Sequence, residues 1–127
     1  MTRTSLTVAP PLIEQLAKAE NERHAYRLKE ISSMSARLRL LQPVLEALKE
    51  RYRFECNIGG IRPVAGGAIR IEGYIVYVSP RVHAALLELG FVEVERYTYA
   101  SVHSLTLKKG RLKLAITVDQ RATEPAL

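Results

Sequence analysis

The chain has 127 residues, of which 47% are hydrophobic and 25% are charged, with one cysteine and a formal net charge of +6. This composition is typical of one globular domain, and it excludes an internal disulfide and a membrane-spanning segment, which would need about 18 consecutive apolar residues. We therefore expect a cytoplasmic protein with no membrane contact, whose basic charge favours anionic partners such as nucleic acid, a nucleoprotein or an acidic protein surface.

The first half of the chain predicts an extended arm, residues 1–10, followed by one long helix over residues 11–53. Pro11 suits the start of this helix, because proline at the first helical position loses no needed hydrogen bond. Among the residues that follow, Pro43 alone opposes a helix. We expect a kink near Pro43. The alternative is that one helix ends near Leu41 and a second begins at Pro43.

An apolar stripe with alternating steps of three and four residues runs along the second half of this helix. Its members are Ile31, Met34, Leu38, Leu41, Leu45, Leu48 and Tyr52. The spacing places them on one side of the helix, as in a coiled coil, and an apolar stripe requires a covering surface. We expect a homodimer or a helix-mediated partner to supply that surface, with burial against the sheet of the same chain as the alternative.

The second half of the chain, residues 54–119, predicts strands around one short helix, and residues 120–127 predict a flexible tail. The predicted strands are residues 54–58, 68–71, 74–79, 91–99, 102–108 and 111–118. Ser79, Pro80 and Gly90 are typical of the N-cap, the first position and the C-terminal end of a helix over about residues 80–89. The predicted fold class is α+β, with a mainly antiparallel sheet of five or six strands packed on the short and the long helix.

The last two predicted strands form a hairpin about Lys109-Gly110. A two-residue loop there places Leu107 opposite Leu112 and puts positive charges on the other side of the ribbon, with Lys109 at the tip. The candidate nucleic-acid-binding residues are Lys108, Lys109, Arg111 and Lys113. Such a basic β-ribbon can lie against phosphates, although solvated lysines that guard a sheet against aggregation are the alternative.

Tyr97 and Tyr99 share one face of their predicted strand. Tyrosines in such positions can stack on bases or anchor a protein interface. We therefore add them to the apolar stripe as candidate residues of an oligomer or partner interface.

The sequence contains no pattern that predicts catalysis or metal binding. Its three histidines and Cys56 do not have metal-ligand spacing, and the glycine-rich loop at 59–67 has no Gly-Lys-Ser/Thr. Glu93 and Glu95 are expected on one strand face, but the chain has no tryptophan that could form a sugar-binding platform beside them. We predict no catalytic residue, no metal and no cofactor.

These observations together predict a small, non-enzymatic, dimeric binding protein that engages nucleic acid or a nucleoprotein complex through its basic β-ribbon. The alternative is a protein–protein interaction module without nucleic-acid contact, such as an inhibitor or adaptor. Proteins of this size and composition occur among phage and mobile-element accessory proteins.

Overall fold

A computed structural model describes residues 8–73 and 76–121 of the chain. The fold is α+β, as predicted, with a long N-terminal helix, two further helices and a five-stranded sheet. The chain divides into two compact units, Met1–Ser33 and Met34–Leu127. Most of the predicted arm and tail, and the start of the strand predicted at 74–79, lie outside the described residues.

The first unit contains helix α1, Leu12–Ser33. Pro11 directly precedes it, and the Pro11 carbonyl accepts hydrogen bonds from the backbone N–H groups of Glu14 and Gln15 at 3.0 and 3.1 Å. None of the described residues of α1 is buried, so ion pairs one turn apart support this helix rather than a core. These pairs are Lys18–Glu22, Glu20–Arg23 and Arg27–Glu30.

Helix α2, Ser35–Tyr52, follows an interruption at Met34, whose φ and ψ are −96° and 1°. The Ser33 hydroxyl just before it donates to the Glu30 carbonyl at 2.6 Å, a local bond with which serine competes with the helical backbone. The interruption is therefore at Met34 and not near Pro43. Pro43 lies within α2, so the alternative of a second helix that begins at Pro43 is wrong, and the kink near Pro43 stays a prediction.

The sheet has the strand order β1-β2-β5-β4-β3. Its strands are β1 (Arg62–Val64), β2 (Ala68–Arg70), β3 (Val92–Tyr99), β4 (Val102–Lys109) and β5 (Leu112–Asp119). Neighbouring strands are antiparallel except β2 and β5, which are parallel. The last two strands of the chain, β4 and β5, therefore lie side by side near the middle of the sheet.

Two predicted strands, as far as the structure describes their residues, do not join this sheet as strands. Residues 54–57 have no regular structure, and Ile58–Gly60 forms a 3₁₀ turn. The described part of the strand predicted at 74–79 makes one isolated parallel bridge, between Val78 and Val118. Both segments carry apolar residues that pack on the core, because Phe54 and Cys56 contact it and Val78 is buried. Phe54, Cys56 and Val78 thus contribute to the packing of the core, whereas Ile58 and Val76 are exposed.

Helix α3, Pro80–Glu88, matches its prediction closely. Pro80 occupies the first helical position after Ser79. At the other end Gly90 has a φ of 104°, and the Phe91 N–H donates to the Leu86 carbonyl at 3.1 Å. This pattern is the glycine-based helix end that the sequence predicts.

The core of the second unit consists of apolar side chains from the sheet, α2 and α3. Met34, Leu41 and Leu48 of the predicted stripe are 1%, 1% and 0% exposed, so their own chain already covers them. Leu38, Leu45 and Tyr52 pack against the same core and are half-buried. Ile31, in the first unit, is 39% exposed. The three buried members of the stripe are thus core residues and are not accessible to a partner in this structure.

Candidate functional site

The hairpin of β4 and β5 turns at Gly110-Arg111, one residue later than predicted. Leu107 lies opposite Leu114 rather than Leu112, so the register differs from the predicted one by two residues. Because side chains alternate with a period of two, a shift of two residues leaves the strand residues on their predicted faces. Gly110 has a φ of 59°, a left-handed conformation that glycine adopts without steric cost.

The four cations of the predicted basic ribbon do not form one surface. Lys108 and Lys113 lie directly opposite each other and alternate with buried leucines, so they project from the face of the sheet that is remote from the core. We call this face the outer face. Lys109 instead pairs with the buried Leu112, and its ammonium donates to the Leu89 carbonyl at 2.6 Å. Arg111 lies in the turn, so the prediction that Lys109 forms the tip is wrong.

A second pair of like charges crosses two strands on the outer face. Arg62 of β1 lies opposite Arg70 of β2, and Arg70 in turn is level with Ala115 of β5. The Arg70 guanidinium is 3.4 Å from a carboxylate oxygen of Glu72, which offsets part of its charge. Like charges directly opposite each other destabilise a sheet. Two such pairs on one face therefore concentrate positive charge where an anion would be stabilised.

The Lys113 side chain is anchored as well as charged. Its ammonium donates to the Gly66 carbonyl at 3.2 Å, in the short loop between β1 and β2. The Arg37 guanidinium of α2 donates to the next carbonyl, that of Gly67, at 3.0 Å. Both glycines have a positive φ, 82° and 79°, so the turn presents its carbonyls in a geometry that suits glycine. The glycine-rich loop thus acts as a support for two cations rather than as a phosphate cradle.

The centre of the outer face forms an open concavity of about 640 Å³. This volume lies within the range of ordinary ligand sites, roughly 300–1,000 Å³. Its floor consists of small side chains, because β4 and β5 alternate buried aliphatic residues with small residues in this region. The floor residues are Ser104, Thr106, Ala115 and Thr117. Longer side chains, those of Arg70, Glu95 and Tyr97, line the same concavity on either side.

The edge strand β3 brings Glu95, Tyr97 and Tyr99 onto the outer face. An irregularity in pairing between Glu93 and Glu95 shifts the register there, so these two glutamates do not share a face as predicted. Glu93 is opposite the buried Leu107, whereas Glu95 is opposite Thr106. Tyr97 and Tyr99 are 70% and 74% exposed. They are thus available to a ligand or a partner, next to the concavity.

The opposite side of β3 carries a polar cluster beside α3. Glu93 accepts hydrogen bonds from Arg96, one of them at 2.6 Å, and this contact lowers the pKa of Glu93. The His83 Nε2 atom is buried 3.9 Å from the nearest Glu93 oxygen and makes no hydrogen bond within the described residues. Burial lowers the pKa of His83. The Thr98 hydroxyl and His103 Nδ1 are 2.8 Å apart at the next position along the same side.

Cys56 is half-buried, and burial raises the pKa of its thiol, which disfavours the reactive thiolate. Within residues 8–73 and 76–121, no cluster of three or more His, Cys, Asp or Glu side chains is arranged to hold a metal ion. The described helices include none with the length and apolar character needed to cross a membrane.

Two apolar grooves flank α2. The first, of about 420 Å³, includes Leu38, Leu45 and Ile58. The second, of about 390 Å³, includes Leu40 and Pro43 and has other aliphatic residues in its lining. Lys109 and Arg111 also line the second groove, so these two cations of the predicted ribbon lie beside an apolar surface rather than beside Lys108 and Lys113.

Sequence reasoning did not single out Arg62 and Arg70 as binding residues. Each is separated from the hairpin by more than 30 positions, and only the parallel pairing of β2 with β5 brings Arg70 to the same face as Lys113. The one local signal is that the two arginines lie on either side of Gly66-Gly67, a glycine pair that indicates a turn between two short extended segments.

No protein-family model, curated protein or solved structure matches this chain.

Proposed function

We propose that this protein is a cytoplasmic, non-enzymatic binding protein that engages nucleic acid through the outer face of its sheet. The observation that carries the proposal is the presence of two cross-strand pairs of like charge on that face, Arg62 with Arg70 and Lys108 with Lys113. The lysine pair costs the free protein stability because its charges repel across the strands, whereas Glu72 offsets part of the charge of the arginine pair. Phosphates placed between them replace that repulsion with attraction and release bound counterions.

The surroundings of these cations support the same proposal. The whole chain has a net charge of +6, which attracts a polyanion over a distance. Hydroxyl groups on the floor of the concavity can donate to and accept from a nucleic acid, and the exposed Tyr97 beside them offers an aromatic ring. Compared with the β-ribbon predicted from the sequence, the proposed contact keeps Lys108 and Lys113, omits Lys109 and Arg111, and adds Arg62 and Arg70.

The test compares two double variants that remove the same charge from different surfaces. Lys108→Gln with Lys113→Gln removes two cations from the outer face, and Lys109→Gln with Arg111→Gln removes two cations from the groove beside α2. Each double variant also removes one lysine bond to a backbone carbonyl, so the two are closely matched. Affinity for labelled oligonucleotides is measured by fluorescence anisotropy over a range of salt concentrations.

For the outer-face variant we expect the slope of log affinity against log salt to become shallower by about 1.5, because each lost phosphate contact contributes about 0.7 to 0.9. The control variant should keep nearly the parent slope. Equal losses in both variants would indicate that only the net charge matters, and a parent that does not bind at about 50 mM salt would contradict the proposal outright.

A protein–protein module is the second candidate, and the apolar grooves beside α2 favour it. Leu40 is 44% exposed within the second groove, where a partner's apolar side chains could cover it. If the partner is a second copy of the chain, Leu40→Glu should halve the mass measured by light scattering. A parent that is already monomeric at micromolar concentration would contradict the homodimer.

A further inference from the structure

We propose that the nucleic acid bound on the outer face is single-stranded, with its phosphates at the cationic end of the sheet and its bases over the concavity towards Tyr97. This inference rests on the function proposed above and deepens it. It follows from three features of the face: the separation of the lysine pair from the aromatic rings, the small floor between them, and the exposure of the tyrosines.

Lys108 and Lys113 lie at the opposite end of the outer face from the tyrosines, and Arg70 lies in a row between them. Lys108 and Lys113 form the row of residues next to the hairpin turn, and Arg70 is level with the row that follows. Tyr97 is level with Ser104, four residues from Lys108 along β4, or about 13 Å at the rise of an extended strand. A ligand that spans this face must therefore be anionic at one end and flat and unsaturated at the other. A nucleotide has this polarity.

The carboxylate on the outer face strengthens this orientation. Glu95 lies on β3 in the same row as Arg70, between the row of Lys108 and Lys113 and that of Tyr97, and it lines the concavity. Its negative charge repels a phosphate from the β3 side, so the backbone is directed to Lys113 and Arg70 on β5 and β2. A carboxylate also accepts hydrogen bonds from the exocyclic amines of bases. Glu95 thus favours base edges and disfavours phosphates at the same place.

The floor and the tyrosines select a single strand over a duplex. In a duplex the base faces are stacked on one another, and a protein reaches only the backbone and the base edges in the grooves. The ring of Tyr97 is 70% exposed on the edge strand β3, and only a base whose face is free can stack on it. The hydroxyls of Ser104, Thr106 and Thr117 form hydrogen bonds with base edges, which a splayed base presents to the floor.

The experiment measures binding of single-stranded DNA, single-stranded RNA and the corresponding DNA duplex, each of about 16 nucleotides, to the full chain at one low salt concentration. The variants are Tyr97→Ala and Tyr97→Phe. Tyr26→Ala is the matched control, because Tyr26 has a similar exposure, 68%, but belongs to the first unit. Thermal unfolding of each variant confirms that it is folded.

We expect the parent to bind at least one of the single strands more tightly than the duplex. Tyr97→Ala should weaken that binding by roughly tenfold, the effect of one lost base stack, and leave duplex binding nearly unchanged. Tyr97→Phe keeps the ring and should bind as the parent does. The salt dependence of binding should be the same for the parent, Tyr97→Ala and Tyr97→Phe, because neither substitution removes a phosphate contact. A difference between the DNA and RNA arms identifies the sugar that the site accepts, and either preference supports the inference.

Two negative results are distinguishable. Equal or tighter binding of duplex, together with no effect of Tyr97→Ala beyond that of Tyr26→Ala, would overturn the single-strand inference and leave the outer face as a nucleic-acid surface. No binding of any of the three nucleic acids at low salt would overturn the proposed function and this inference together.

Discussion

Replacing Lys108 with glutamine should make the protein more stable, although it removes a residue of the proposed binding face. Lys108 lies directly opposite Lys113, and the Lys113 ammonium is held in place by the Gly66 carbonyl. That bond fixes the Lys113 ammonium, so only the exposed Lys108 side chain can move to increase the separation of the two charges. Glutamine keeps most of the side-chain length and removes the repulsion.

The expected gain follows from the cost of like charges that face each other across two strands, about 0.2 to 1 kcal/mol. For a chain of this size a change of 1 kcal/mol in the free energy of unfolding corresponds to roughly 4 °C in melting temperature. We therefore expect Lys108→Gln to melt about 1 to 4 °C above the parent at low salt. At about 1 M salt, where the Debye length is about 3 Å, the difference should nearly vanish.

Thermal unfolding at low and high salt tests this expectation, with Arg39→Gln as the control. Arg39 is an exposed residue of α2, so its replacement lowers the net charge equally without touching the sheet. The reasoning would be refuted if Lys108→Gln were less stable than the parent, or if Arg39→Gln stabilised the protein as much. In the second case the gain would come from the net charge of the whole chain and not from the cross-strand pair.

Three further predictions concern the core, a helix end and a buried histidine. Leu48→Ala, at a fully buried position, should lower the free energy of unfolding measured in urea by about 2 to 5 kcal/mol, whereas Leu87→Ala, 44% exposed, should change it far less; equal effects would place Leu48 outside the core. Gly90→Ala should cost about 1 kcal/mol or more because the residue has a φ of 104°, and a neutral result in the same assay would contradict the proposed helix end. Burial lowers the pKa of His83 below its usual 6.5, so as the pH falls the histidine takes up a proton in the unfolded chain before it does so in the folded protein. The free energy of unfolding should therefore decrease from about pH 7.5 to pH 5.5. His83→Gln should make this decrease smaller. A variant with the parent's pH dependence would show that His83 is not the group responsible.

Local signals in the sequence determine several elements of this protein. Pro80 and Gly90 define the two ends of α3. The fixed φ of proline suits the first helical position, and glycine readily adopts the positive φ that ends a helix. Alternation along β4 and β5 correctly separates Leu107 and Leu114 from Lys108 and Lys113, because successive side chains of a strand point to opposite faces whatever the register. These predictions depend on residues within a few positions of one another.

Only the tertiary structure decides which surfaces and strands these elements pack against. Nothing local to the apolar stripe tells whether another chain or its own sheet covers Met34, Leu41 and Leu48, because an apolar side chain is stabilised by any apolar surface that excludes water. The charges of Arg62 and Arg70 also do not predict that the two residues pair, because both are positive. The outer face exists as a surface because β2 pairs with β5 across more than 40 residues of chain, and that pairing is set by the packing of the core beneath it.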